Sequence, residues 1–353
     1  MKFKGAWRLY DIQQQTYTTE TWDSLITLGP TRIGYLSNDK WGVMTPTAEP
    51  LTPAKYRAIQ PFRAGMAAVH VGFNHWAYID SSGQEVIKGP FRRAKSFQDE
   101  SGGCGFPIAA VESKKGVGYI TSDGKWHIKP RYHEGESFNE GFALAERKER
   151  LRYIDCDGRE LPVPDPFEIG SDFVNGLAVV QAESEAGWLY GYLHTSGEYA
   201  IEPSFHDAYV FSDNRAIVIS EQGEYGFIDP EGTFVLPTIY QSAWQFNSGR
   251  AFVKGDDDYW RMIGTKGDFV LPDVKYAQAR PFEDGLARVY QIGQGWTYID
   301  TNGEAMTRIV YDDLAPFMNG YAPVLLGDKW GLIDRQGKQV VDSQFDAVGG
   351  VFR

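Results

Sequence analysis

The side chains able to do chemistry are scattered along this sequence. Its histidines are His70, His75, His127, His133, His194 and His206. No two of them have the spacing of metal ligands on a helix, and there is no C-x-x-C, so no metal centre is expected. His133 and His206 stand at equivalent positions after an aromatic residue, and His70 and His75 flank one loop. Cys104 lies in Ser101-Gly102-Gly103-Cys104-Gly105. A thiolate could attack from such a loop, but no His or Asp partner is set by spacing; the stretch reads as a flexible insertion. Cys104 and Cys156 are too few for a disulfide framework, so no structural disulfide is expected. No glycine-rich phosphate loop precedes a helix. The reading is therefore of a protein without catalytic residues, metal or cofactor, and not an enzyme.

Three further patterns bear on binding. Aspartates recur in Asp80-Ser81-Ser82-Gly83, Asp155-Cys156-Asp157-Gly158, Asp229-Pro230-Glu231-Gly232, Asp300-Thr301-Asn302-Gly303 and Asp334-Arg335-Gln336-Gly337. Calcium-binding β-rolls need far denser Gly/Asp runs, so these read as hairpin turns. Asp accepts from backbone N–H groups ahead of it, and Gly takes the left-handed position. Trp126, Trp188 and Trp244 could stack on sugars if exposed, against a plainer role in the core. Carboxylates gather in three successive polar loops: Glu183 and Glu185, then Glu221 and Glu224, then Asp256, Asp257 and Asp258. Aligned along one rim, these seven would attract a basic partner. The basic run Arg147-Lys148-Glu149-Arg150 on an earlier loop breaks the series.

The elements that must position these groups are set by a repeat. An aromatic or large apolar residue recurs six positions before another: Trp22/Leu28, Tyr56/Phe62, Phe91/Phe97, Tyr132/Phe138, Phe167/Phe173, Phe205/Phe211, Tyr240/Phe246, Tyr276/Phe282, Tyr311/Phe317 and Phe345/Val351. The residue after the first-strand aromatic falls at 8, 42, 77, 118, 152, 191, 226, 261, 297 and 331, a mean period of about 36 residues. Each copy reads as a first strand (Trp41-Gly42-Val43-Met44), the Asp/Gly turn, and a second strand ended by proline (Ile128-Lys129-Pro130). The aromatic stretch and a closing strand on Gly-x-Ala follow. That closing strand forms a hairpin with the next first strand. Ala67, Ala143, Ala178, Ala216, Ala251, Ala287 and Ala322 share one register, so something packs closely over them. The interval from 77 to 118 carries an insertion near Gln98–Gly105, and that from 152 to 191 carries extra residues near Ala182–Gly187.

Trp41-Gly42 and Trp330-Gly331, each followed by a turn and a Tyr or Phe downstream, resemble the WG-repeat family over essentially the whole chain. The named glycine is Arg8, Ala77, Arg152, Arg261 or Thr297 in five copies. The resemblance implies a β-repeat scaffold of a kind found with varied domains and in toxin–immunity settings. It carries no active site to transfer.

The expected fold is all-β: one continuous array over residues 1–353, with ten antiparallel β units of which the last is incomplete. An open or nearly closed superhelix is favoured, with a closed propeller-like ring as the alternative. A net charge of −12 disfavours nucleic acid and anionic membrane as partners. No apolar run reaches a membrane span or follows the N-terminus as a signal peptide would, so a cytoplasmic protein is expected. The functional expectation is a non-enzymatic protein-binding scaffold, in its most specific form an immunity or antitoxin protein against a basic toxin domain. The alternative is glycan or small-ligand binding through exposed aromatics.

Overall fold

The computed structural model describes residues 1–3, 5–99 and 102–349. Among them no α-helix occurs. Strands of two to eight residues form nine antiparallel sheets of three or four strands, with two short two-stranded ribbons near the N-terminus. The chain divides into two compact units, Met1–Pro162 with the segment from Asp346, and Val163–Phe345.

One sheet stands for the others. Arg93–Ala94, Ile108–Ser113, Gly116–Thr121 and Trp126–Tyr132 pair in chain order. The expected hairpin is Ile108–Ser113 with Gly116–Thr121, in register from Ile108↔Thr121 to Ser113↔Gly116. The register alanines pair with Ile or Leu of the next strand, as in Ala67↔Ile79, Ala178↔Leu193 and Ala322↔Ile333, and are fully buried. The turn aspartates behave as expected: Asp80 Oδ1 accepts from the Ser82 and Gln84 N–H groups at 2.9 and 3.0 Å, and Gly83 has φ +86°.

The glycine of the repeat goes with a continuous fourth strand; where Arg or Thr replaces it, the fourth segment pairs only at isolated bridges, as at Trp260↔Tyr276 and Ile263↔Phe269. A Cβ on Gly118, Gly191 or Gly331 would stand 2.6 Å from the carbonyl oxygen of Ile128, Ile201 or Val341, in the outer strand. The outer strand therefore lies directly over the glycine. Six sheets are four-stranded, and their first strands carry Gly42, Ala77, Gly118, Gly191, Gly226 and Gly331. Three are three-stranded, and theirs carry Arg152, Arg261 and Thr297. The sheet with Ala77 also has a fourth strand, and there the outer strand carries Gly89, where a side chain would strike the Trp76 carbonyl. Proline does not end the outer strand, contrary to expectation. Pro130, Pro203 and Pro237 sit inside Trp126–Tyr132, Tyr199–Phe205 and Phe234–Tyr240, beside a register shift opposite the glycine. An edge strand with a bulge tolerates the missing N–H.

Aromatic pairs join successive sheets. The first aromatic of each pair lies across from the first-strand aromatic or its equivalent: Trp41↔Tyr56, Trp76↔Phe91, Val117↔Tyr132, Trp330↔Phe345. The second packs on a first-strand ring of the preceding sheet: Phe97 on Tyr78, Phe138 on Tyr119, Phe211 on Tyr192, Phe317 on Tyr298, with centroids 4.8 to 4.9 Å apart. Each of those buried tyrosines donates its hydroxyl to a carbonyl seventeen residues on, at Lys95, Glu136, Tyr209 and Ala315. Such a bond contributes about 1 kcal/mol, and losing its donor would strand a buried acceptor.

Two features depart from the sequence reading. The closing strand missing after Phe345 is supplied by the N-terminal residues. Lys2 N–H donates to the Ala347 carbonyl (2.8 Å), Asp346 N–H donates to Lys2 (3.0 Å), and Trp7 bridges both Lys2 and Trp22. Cys104 and Cys156 form a disulfide, with Cα atoms 5.6 Å apart. It ties the 98–105 insertion to the Asp155–Gly158 turn, so Cys104 is neither free nor in an untethered loop. Glu100 and Ser101 of that insertion lie outside the described residues.

Candidate functional site

The seven predicted carboxylates occupy three consecutive hairpin tips of the Val163–Phe345 unit. Glu183 and Glu185 lie where Leu177–Ser184 turns into Gly187–His194. Glu221 and Glu224 lie between Ala216–Ile219 and Tyr225–Ile228. Asp256, Asp257 and Asp258 lie between Arg250–Lys254 and Trp260–Gly264. All seven are exposed. The sheets repeat one strand order, so these tips emerge at the same end of each sheet. The extra residues near Ala182–Gly187 lengthen the first of these hairpins to eight-residue strands.

Their electrostatics divide them. Asp257 accepts from Arg261 Nη1 at 2.9 Å and from Lys275 Nζ at 2.7 Å. The Arg261 guanidinium first, then Lys275, hold its carboxyl well below the usual carboxylate range. Arg261 stands where other copies have glycine, and Asp257 pairs with its guanidinium. Arg152 does the same with Glu160, at 2.6 Å. Asp258 pairs with Lys254 at 2.5 Å. Glu183, Glu185, Glu221, Glu224 and Asp256 make no ion pair among the described residues. Asp257 and Asp258 are thus largely neutralised, and five carboxylates carry the negative surface.

The other singled-out residues stay apart. His70 stacks on Trp76 at 5.0 Å, His127 Nε2 lies 2.9 Å from the Cys156 carbonyl, His133 faces Glu146 at 3.3 Å, and His194 meets Ser196. No group of three His, Cys, Asp or Glu could hold a metal among the described residues. Trp126 and Trp188 are 38% and 41% exposed. Trp244 donates its indole N–H to the Ala279 carbonyl (2.9 Å) and stacks on Trp260, so it belongs to the packing.

Sequence reading missed one feature. In the Met1–Pro162 unit a cavity of about 510 Å³ is lined by four separated segments, 92–93, 112–116, 131–134 and 147–148. Only the basic run at 147–150 hinted at it.

Among solved structures, a eukaryotic initiation factor superposes with TM-score 0.50 and 10% identity, over 100% of this chain and 98% of that one. BamB from Moraxella catarrhalis gives 0.39 and 9%, over 79% and 94%. Apo AztD from Citrobacter koseri gives 0.38 and 11%, over 98% and 96%. At 10% identity the first is a likeness of fold alone. No match is found among curated proteins. The family model described as "WG containing repeat" matches residues 41–72, 118–149, 190–220, 225–260, 260–291, 296–330 and 330–352, more than half of the chain. With the glycine-gated sheets and the aromatic pairs between them, this places the chain in the WG-repeat family.

Proposed function

We propose that this protein is a non-enzymatic scaffold that binds a basic protein partner along the hairpin tips of the Val163–Phe345 unit. The fold is consistent with a protein-binding scaffold, because stacked repeats present an extended surface. The observation that carries the proposal is the run of five exposed carboxylates without internal counter-ions: Glu183, Glu185, Glu221, Glu224 and Asp256. Such a rim raises the association rate of a positively charged protein and selects against acidic ones. The most specific form of the proposal is an immunity protein that neutralises a basic toxin domain, supported by the net charge of −12 and the settings in which WG repeats occur.

The test leaves the structural carboxylates alone. Glu221→Lys, Glu224→Lys and Asp256→Lys, with Asp257 and Asp258 kept, is used as bait in the native cell beside the wild type. Loss of a basic partner from the variant, and slower association at higher salt, are expected. An identical set of captured proteins would remove the acidic-rim reading. An immunity role inside the cell further requires Cys104 and Cys156 to be reduced there, since disulfides persist in oxidising compartments; thiol labelling before lysis reads this directly.

A second reading has one observation behind it. Trp126, Phe234 and Phe269 each follow their turn glycine by two residues, and all are substantially exposed. Recurring exposed rings suit a glycan. Tryptophan fluorescence titrated with oligosaccharides, in wild type and Trp126→Ala, decides it: no change in either discards the glycan reading.

A further inference from the structure

The cavity of the Met1–Pro162 unit has the opposite sign to the acidic tips. It opens between the sheet of Arg93–Ala94 to Trp126–Tyr132 and the sheet of Glu134–Gly135 to Arg150–Asp155. Arg92, Arg93, Lys115, Arg131, Arg147 and Lys148 line it, against Glu112 and Glu134. Six cations against two carboxylates leave a formal charge of +4, with His133 neutral, in a chain whose net charge is −12.

The cations are not equally occupied. Arg93 is committed to Glu112 at 2.5 Å and Glu134 at 2.6 Å, a bridge between the two sheets. Arg92 and Arg147 stand further from carboxylates, 3.9 Å from Glu112 and 3.7 Å from Glu160. Arg131 is held only by neutral acceptors. Its Nε and Nη2 donate to the Tyr132 hydroxyl at 3.0 and 2.9 Å, and Nη2 also donates to the Gly158 carbonyl. Lys115 and Lys148, at two neighbouring hairpin tips, make no ion pair among the described residues. Arg131, Lys115 and Lys148 thus bring positive charge to one hollow without an ion pair to either of its carboxylates.

We propose that this cavity binds a small polyanion, a molecule carrying two or more phosphate or carboxylate groups. Its volume falls in the range of small-molecule sites, roughly 300–1,000 Å³, and is far too small for a folded domain. A single negative charge would leave most of the excess unbalanced. Arg131 is already immobilised by Tyr132 and Gly158, so engaging an anion costs it little further ordering. This site is independent of the acidic tips.

The test is calorimetric titration of the full chain with pyrophosphate and, separately, with citrate. Lys115→Glu/Lys148→Glu, which brings the lining to a formal charge of zero, is measured beside the wild type. Both lysines are exposed, and circular dichroism checks that the variant folds. Lys148→Ala, a milder change, and Lys338→Glu, a single charge reversal in the other unit, complete the set. One or both polyanions bind the wild type, with affinity falling as salt rises. Binding weakens about tenfold or more in the double variant, less in Lys148→Ala, and not in Lys338→Glu. Pyrophosphate without citrate assigns the site to phosphates, and the reverse to carboxylates. Failure of both to bind, or equal affinity in the double variant, overturns the proposal.

Discussion

Gly118, Gly191, Gly226 and Gly331 each leave room for a strand that a side chain would push away. Gly118→Val puts a Cβ 2.6 Å from the Ile128 carbonyl oxygen and 2.7 Å from the Pro130 nitrogen, and adds two γ-carbons to that crowding. Overpacking of this kind costs about 1–3 kcal/mol. The Trp126–Tyr132 amides should then lose hydrogen-exchange protection while those of Ile108–Ser113 keep theirs; uniform protection would show that the glycine does not gate the strand. A second prediction at this scale concerns pH. Arg261 and Lys275 lower the Asp257 pKa in the folded state. A depressed folded value means the stabilisation is complete above the unfolded value of about 4, and is lost as pH falls through the folded one. Asp257→Asn should therefore flatten the fall of Tm with acidity below about pH 4, and Tm curves of unchanged slope would contradict this.

At the scale of elements, sheets are joined by second aromatics resting on first-strand rings and by tyrosine hydroxyls reaching the next copy. The Cys104–Cys156 bond adds a covalent tie between the insertion and a turn 52 residues away. Closing a loop of that length stabilises by about 4 kcal/mol in the chain-entropy picture. Reduction, or Cys104→Ser with Cys156→Ser, should lower Tm by roughly 10 °C in a domain of this size, and a Tm unmoved by reductant would show the tie to be dispensable. The double serine variant also reads the compartment: a protein that keeps its thiols reduced in the cell has the same half-life there with or without them.

For the whole molecule the repeat is the unit of stability. A ring such as Phe138 gains roughly 1.5–3 kcal/mol from burial, while ordering a residue costs about 1–2 kcal/mol. Since Phe138 packs on Tyr119 of the preceding sheet, a single sheet has no surface on which to bury its second aromatic. A peptide of residues 133–161, which holds Phe138 without Tyr119, should be unfolded by circular dichroism, and a cooperative transition in it would refute the dependence on neighbours. Charge is also organised above the residue. The Met1–Pro162 unit gathers cations at the tips near 115 and 148, while Val163–Phe345 gathers carboxylates on three consecutive tips.

What the sequence alone determined is local. Asp followed three residues later by Gly specifies a hairpin turn, alternation specifies which face of a strand is buried, and a period of about 36 specifies a repeated sheet. These depend on neighbours within a few residues, and the structure keeps them. The exchange of glycine for Arg152, Arg261 and Thr297 was visible too. Its consequence was not, because the close approach is to a strand whose nearest atoms lie ten to twelve residues on, beside a register shift. Only the tertiary structure decided which distant groups meet. Cys104 finds Cys156, Lys275 reaches Asp257, and Lys2 pairs with Ala347. Arg131 comes to face a hollow with Lys115 and Lys148. Those distances follow from how one sheet packs on the next, which no spacing along the chain encodes.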